Sequence, residues 1–237
     1  MNTKILFIIP AFNEEHAIVQ TVQKIRSYNQ NWDVLVINDG SSDNTESLCK
    51  QNQIPIITLI ENLGIGGAVQ TGYKYASDNH YDIAIQFDGD GQHNEEYVKD
   101  LIDPLLTDSF DFVIGSRFIS GDRKGFISSR LRRIGIRIIA ITIRVLTGKK
   151  ITDPTSGFRA ANKRVIRYFA NAYPIEFPEP ESVTLLFKQG YRVKEVPVIM
   201  YERQGGKSSI HTWKSAYYMV NVLFSLIILS LRKFEKK

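Results

Sequence analysis

Two aspartates one residue apart, Asp88 and Asp90, end an apolar run in the segment Phe87-Asp88-Gly89-Asp90-Gly91-Gln92-His93. A turn starting at Gly89 can bring both carboxylates to one site. Hard divalent cations such as Mg2+ or Mn2+ bind carboxylate oxygens, tolerate an amide oxygen, and fill the rest of their shell with phosphate oxygens. Gln92 and His93, one step further on, could add ligands. A bare Asp-x-Asp is a weak signal, because Asp-Gly-Asp-Gly is also a good turn sequence. The apolar strand before it and the separate Asp39 give the pair its weight.

A second chemistry lies downstream. Arginines recur at 130, 133, 137 and 144 with helical spacing, and Leu131, Ile134, Ile138, Ile141 and Val145 fill the opposite face. That is the pattern of a basic amphipathic helix in a membrane interface, weighed against a core-packed helix with a solvated arginine stripe. The net charge of +5 hides a polarity: residues 1–116 hold six Lys and Arg against 17 Asp and Glu, whereas residues 117–150 hold ten against one. Acidic groups hold metal ions, and clustered basic groups attract phosphates, nucleic acid or anionic membrane surfaces. The stretch Ser215–Leu231 is apolar over 17 residues, the lower limit for spanning a bilayer. Spanning would carry Arg232, Lys233, Lys236 and Lys237 away from the side that holds the rest of the chain, against the positive-inside tendency. An in-plane or shallow helix is therefore expected.

The elements that must position these groups are readable upstream. Strands are expected at Lys4–Pro10, Asp33–Ile37, Ile54–Ile60, Asp82–Phe87 and Asp111–Gly115, with helices at Glu14–Tyr28, Ser42–Gln51, Ala68–Ser77 and Glu95–Leu106. Short β-branched strands separated by helices predict an α/β domain with a mostly parallel sheet covered on both faces. Ligands of such sheets bind beyond the carboxyl ends of the strands. Asn13 and Glu14, Asn38-Asp39-Gly40-Ser41, Asn62, and Asp88/Asp90 all fall at such ends. Gly64-Ile65-Gly66-Gly67 lacks dinucleotide-fold spacing and reads as a tight helix entry that could still lie near a diphosphate. At 237 residues and 43% hydrophobic content the chain fits one domain with an appendage and excludes a multi-span membrane protein. The single Cys49 excludes an internal disulfide framework and fits a reducing compartment.

Pro10-Ala11-Phe12-Asn13-Glu14, Asn38-Asp39-Gly40-Ser41-Ser42-Asp43-Asn44-Thr45, Asn62-Leu63-Gly64 and Asp88-Gly89-Asp90-Gly91-Gln92-His93 together resemble family 2 glycosyltransferases of the GT-A (nucleotide-diphospho-sugar transferase) fold. Gly115-Ser116-Arg117-Phe118 and Asp153-Pro154-Thr155-Ser156-Gly157-Phe158-Arg159 resemble the branch that contains dolichyl-phosphate mannose synthase and the bacterial undecaprenyl-phosphate glycosyltransferases. The resemblance runs in order from about residue 4 to 210. It implies that Pro10, Phe12, Glu14 and Asp39 surround the nucleoside, that Asp88 lies by the nucleotide, and that Asp90 and Gln92 hold Mg2+ or Mn2+ on the diphosphate. Arg117 and Arg130 match positions that grip the acceptor phosphate. The family's later Gly-x-Ser-Lys stands here as Gly206-Lys207-Ser208-Ser209, with the basic residue two places early. Glu179 and Glu181 fall near the catalytic carboxylate of other family 2 enzymes, with helix capping as the competing role.

These implications define an expected enzyme. It inverts a hexosyl group from a UDP- or GDP-sugar onto a polyprenyl phosphate such as undecaprenyl phosphate, at the cytoplasmic membrane face, for cell-envelope glycan modification. A glycan or other non-phosphate acceptor, or a sugar-nucleotide-binding regulator without catalysis, are the alternatives. Residues 1–210 form the catalytic domain, including a basic interfacial helix at about 127–147, and 211–237 a C-terminal apolar helix. Relatives carry spanning helices after the catalytic domain, so a small membrane-anchoring protein is an expected partner. Homo-oligomers are a further expectation and nucleic acid is not.

Overall fold

The computed structural model describes residues 3–107, 109–119, 130–201 and 212–232. Its centre is a seven-stranded sheet of β1 (Ile5–Ala11), β2 (Asp33–Asn38), β3 (Ile56–Thr58), β4 (Ile83–Gln86), β5 (Phe112–Ser116), β6 (Arg159–Asn162) and β7 (Val193–Pro197), in the order β3-β2-β1-β4-β6-β5-β7. All neighbours are parallel except β6, which runs antiparallel to both β4 and β5. The mostly parallel sheet expected from the sequence is present.

Every residue of β1 is buried because apolar side chains project to both faces, the condition for a central strand covered on two sides. Ile5, Phe7 and Ile9 pack with α1 (Ile18–Tyr28) and α4 (Val98–Leu106), beside Cys49 of α2 (Thr45–Gln51). Leu6 and Ile8 lie in a second core with α3 (Gly64–Asp78), α5 (Arg130–Thr147), α6 (Lys163–Ala172), α7 (Pro178–Lys188) and α8 (Thr212–Leu231). Val222 and Leu226 of α8 join this second core, so α8 packs on the rest of the fold through its inner face. Among the described residues no helix is long and apolar enough to cross a membrane.

Several expected boundaries shift. α2 starts at Thr45 instead of Ser42, and α3 at Gly64 instead of Ala68, so that Gly64–Gly67 form its first turn. Two further shifts have local reasons. The first helix begins at Ile18 instead of Glu14. The intervening residues form a turn whose N–H groups bond to side chains: Glu14 N–H donates to Thr45 Oγ1 (2.9 Å) and Glu15 N–H to Asp43 Oδ2 (3.0 Å). The third strand spans only Ile56–Thr58, because it is the sheet edge and Pro55 precedes it.

Candidate active site

The carboxyl ends of β1, β2 and β4 open into one cleft of about 730 Å3. Its lining includes Pro10, Phe12 and Glu14 after β1, Asp39 after β2, and Asp88 and Asp90 after β4. Six of the residues singled out by sequence thus share one cavity. The polar motif after β2 explains how. Asn13, held at φ +56°, accepts from the Ser42 N–H at 2.9 Å and donates its own N–H to Ser41 Oγ at 2.9 Å. Glu15 Oε2 accepts from the Asn44 N–H at 3.1 Å. Two loops on adjacent strands are stitched into one wall. Gly40, at φ +71°, lets that wall approach the next loop, since a Cβ there would stand 3.1 Å from the Asn62 nitrogen.

Asp39 accepts the Leu63 N–H at 2.8 Å, and its backbone carbonyl accepts from Asn62 Nδ2 at 3.0 Å. Burial pushes its carboxyl above the ordinary aspartate range, and the Leu63 and Gly64 N–H groups pull the other way. Asp88 Oδ2 lies 3.0 Å from Nε2 of the buried His93. His93 is fixed by packing, stacked on Phe158 at 4.8 Å and edge-on to Phe87 at 5.2 Å. It is a buried wall behind the Asp88 carboxylate. On the other side, a Cβ at Gly157 would fall 2.6 Å from Asp88 Oδ2. Asp90 Oδ1 caps the turn by accepting the Gln92 N–H at 3.0 Å. The Gln92 amide itself turns to the Tyr201 carbonyl at 3.3 Å and stands outside the cleft lining.

Two carboxylates open to a cleft large enough for a diphosphate fit a hard divalent cation held jointly by protein and substrate phosphate. Among the described residues no cluster of three or more His, Cys, Asp or Glu side chains is arranged to hold a metal alone, so a cation here would depend on the ligand for much of its shell.

Arg117 is clamped. Its Nε and Nη2 each donate to Asp153 at 2.7 Å, its backbone N–H to the same carboxylate at 3.1 Å, and Nη2 also to Thr155 Oγ1 at 3.0 Å. Thr155 lines the cleft, which puts this guanidinium one side chain from the Asp88/Asp90 wall. Burial opposes the charge on Arg117, but Asp153 outweighs it, with Asp88 assisting, so the guanidinium is held more firmly protonated than usual. Arg130 is exposed at the start of α5. Lys207 lies outside the described residues.

Sequence reasoning missed three participants. Arg132 keeps solvent access, yet burial and then the charge of Arg117 lower its pKa, with Asp153 opposing. It therefore neighbours the clamp. At 100° per residue it shares the helix face of Ile136, Ile139 and Ile143, the three buried residues of α5, so the arginine spacing 130-133-137-144 passes it by. Arg159 is fully buried, donating to the Ser156 and Pro154 carbonyls and, at 2.7 Å, to Ser182 Oγ of α7. It welds the Pro154–Ser156 loop to the helix carrying Glu179. The third is Glu195, whose carboxylate holds the residues just before that loop. The two glutamates of α7 part company. Half-buried Glu179 lines the cleft, whereas Glu181 accepts from Ser225 Oγ of α8. Burial raises the pKa of both.

A mostly parallel sheet whose strand ends gather acidic groups around one cleft is an arrangement in which α/β folds bind ligands. The sequence profile of glycosyl transferase family 2 matches residues 6–169, and the chain belongs to that family. It is 31% identical over 217 residues to the UDP-N-acetylglucosamine–dolichyl-phosphate N-acetylglucosaminyltransferase of Methanococcus voltae, covering 82% of this chain and 84% of the relative. It is 27% identical to the undecaprenyl-phosphate mannosyltransferase of Micrococcus luteus over 92% of both chains. Among solved structures it resembles glucosyl-3-phosphoglycerate synthase from Mycobacterium tuberculosis, crystallised with Mn2+, UDP-glucose and phosphoglyceric acid. That match has a TM-score of 0.74 at 18% identity, covers 99% of this chain and 82% of the other, and supports the GT-A fold.

Proposed function

We propose that the protein transfers a hexosyl group, with inversion, from a UDP- or GDP-sugar to a polyprenyl phosphate such as undecaprenyl phosphate at the cytoplasmic membrane face. One observation carries the reading. Asp39, Asp88 and Asp90 share a cleft whose lining residue Thr155 touches the clamped Arg117, and the charge of Arg132 acts on that clamp. A carboxylate wall for the donor thus stands next to a basic group suited to an acceptor phosphate.

Phe12, half-exposed at the cleft, offers a face to a nucleobase, and Asp39 offers a carboxylate for its N–H groups or the ribose. Asp88 and Asp90 lie where a diphosphate would need a cation. A bound Mg2+ or Mn2+ would act as a Lewis acid against the charge growing on the leaving group. A phosphate acceptor is anionic at neutral pH, so its oxygen needs no general base. The task left to Arg117, Arg132 and Arg130 is to bring it up against a second anion and aim it at the far face of the sugar.

The membrane side is built from α5 and α8. Leu131 and Val145 on α5 are 75% and 78% exposed, and Phe224 and Leu231 on α8 are 62% and 76% exposed. Gly135 lets the helices touch, since a Cβ there would stand 3.2 Å from Met219 Sδ. The arginine stripe lies beside the outward apolar stripe of α5, about 90° around the helix, and not opposite it. Apolar residues facing out with arginines at their flank suit an anionic lipid surface, where the acceptor's phosphate would be presented. A small anchoring protein or a second copy seated on the same face are the competing occupants.

Purified protein incubated with Mn2+, a panel of nucleotide-sugars and undecaprenyl phosphate should yield a sugar-phosphoryl-lipid. Product with a free glycan acceptor alone would move the reading to that acceptor, and no product with any acceptor would favour a binding role without catalysis.

A further inference from the structure

Glu195 sits mid-strand on β7 and is half-buried. Its register partner on β5 is Ile114, three residues before Arg117. Its carboxylate takes three donors from one short stretch of chain: the Thr152 N–H at 2.8 Å, Thr152 Oγ1 at 2.9 Å and the Asp153 N–H at 2.7 Å. Thr152 Oγ1 is also 2.8 Å from Ser116 Oγ, the residue before Arg117. Asp153 then clamps Arg117 through both side-chain nitrogens and the backbone.

This chain of bonds runs from a rigid strand, through a turn, to a guanidinium. A loop carboxylate such as Asp153 has several rotamers and a mobile backbone. With its own N–H fixed by a strand-borne carboxylate, one orientation is left. Charged hydrogen bonds of this length are among the strong ones, and groups behind a binding residue set its geometry as surely as the residue itself.

We infer that Glu195 is a positioning residue for the acceptor: it holds Asp153, and through it Arg117, in the pose that receives the acceptor phosphate. It touches neither substrate. The inference rests on the reading of Arg117 as an acceptor group.

A similar network on the same strands provides a control. Asp111, at the other end of β5, accepts from the Arg192 N–H at 2.9 Å and from Asn162 Nδ2 and Arg164 Nη1, each at 3.1 Å. It ties strands together far from the cleft, so Asp111→Asn should lower thermal stability and leave both substrates' KM values in the same ratio.

The test compares Glu195→Gln with Asp111→Asn, measuring Tm and separate KM values for the nucleotide-sugar and for undecaprenyl phosphate. Losing one charged hydrogen bond in the path should raise the acceptor KM about 10- to 100-fold and leave the donor KM within about twofold. In an Arg117→Lys background the Glu195→Gln effect should shrink, because the two act in series. Thr152→Val, a milder cut in the same path, should move the acceptor KM in the same direction if Glu195→Gln folds poorly. Equal shifts in both KM values, or a fall in Tm with no acceptor effect, would overturn the inference. If Arg117→Lys alone leaves the acceptor KM untouched, the acceptor reading of Arg117 fails instead, and the inference with it.

Discussion

Gly157→Ala separates the donor wall from the fold that carries it. A Cβ at this position would lie 2.6 Å and 2.8 Å from the two Asp88 carboxylate oxygens and 3.0 Å from Cγ. Relieving that to an ordinary contact of about 3.4–4 Å requires a displacement of about 0.8–1.4 Å. The three nearest atoms all belong to Asp88, so the carboxylate must give. His93 stands 3.0 Å behind it, pinned between Phe87 and Phe158, which leaves the open cleft as the way out. Overpacking of this kind costs about 1–3 kcal/mol where the core must yield, and less where the yielding atoms face solvent. A misplacement of about 1 Å in a catalytic group costs roughly 100-fold in rate. We therefore expect kcat/KM to fall about 10- to 100-fold, or about 1.4–2.7 kcal/mol, with Tm within about 5 °C of the parent. Steady-state kinetics against donor concentration, paired with calorimetry, measures both. Gly66→Ala is the counter-case, because its Cβ would meet the Ile175 backbone at 2.5 Å and the chain itself must move. That variant should lose stability first. A Gly157→Ala enzyme with parental kcat/KM would refute the placement of Asp88 in the donor site.

Four further outcomes are expected. Burial raises the Glu179 pKa above the ordinary glutamate value, with Arg159 opposing and Asp88 adding, so the folded protein loses stability as pH rises through that raised value. Glu179→Gln should therefore raise Tm near about pH 8 and match the parent near about pH 4, and an equal gain at both would refute the burial cause. Asp90→Asn should abolish metal-dependent turnover with the circular dichroism spectrum unchanged, and retained activity would remove the metal assignment. Arg132→Ala should raise the acceptor KM, because its charge and those of Arg117 and Asp153 act on one another, and an unchanged acceptor KM would remove Arg132 from the acceptor side. Replacing Leu131 and Ile141 by Glu should cut flotation with anionic vesicles and leave Tm unchanged, whereas a large Tm loss would mean that these residues pack against protein.

The strands that could be read directly were those buried on both faces. Ile5–Ala11, Asp33–Asn38 and Phe112–Ser116 are nearly continuous apolar runs, and such runs have few other fates in an α/β fold. β6 escaped because Arg-Ala-Ala-Asn has no β-branched residue, and its place between β4 and β5 is a tertiary fact. β7 escaped because Val-Lys-Glu-Val-Pro ends in proline, tolerable only because the strand is a sheet edge. The carboxylate wall proposed for the donor was legible because Asp39, Asp88 and Asp90 each follow a strand the sequence reveals. Arg132 was not, since it lies off the stripe that the other arginines mark. Nor was Glu195, whose role comes from a strand pairing that no local pattern announces.

The clamp on Arg117 solves an electrostatic problem that the cleft itself creates. A lone guanidinium one side chain from Asp88 and Asp90 would be drawn onto those carboxylates, and Asp88 already acts on its charge. Such a pairing would occupy the oxygens a cation needs and withdraw the positive charge an acceptor needs. Asp153, completely buried, takes Arg117 in a two-pronged grip and keeps the two sites apart. The grip also cancels one charge, so Arg117 with Asp153 offers an acceptor phosphate oriented N–H groups but no net attraction. In the proposed acceptor site Arg132, whose charge acts on Arg117 and Asp153, would restore it. On this account Asp153→Asn should do more than loosen an arginine. It should let Arg117 swing toward Asp88, raising the donor KM and the acceptor KM together, whereas Arg132→Ala should raise the acceptor KM alone. If Asp153→Asn affected only the acceptor, the carboxylates and the guanidinium would not compete, and the clamp would be a matter of orientation only.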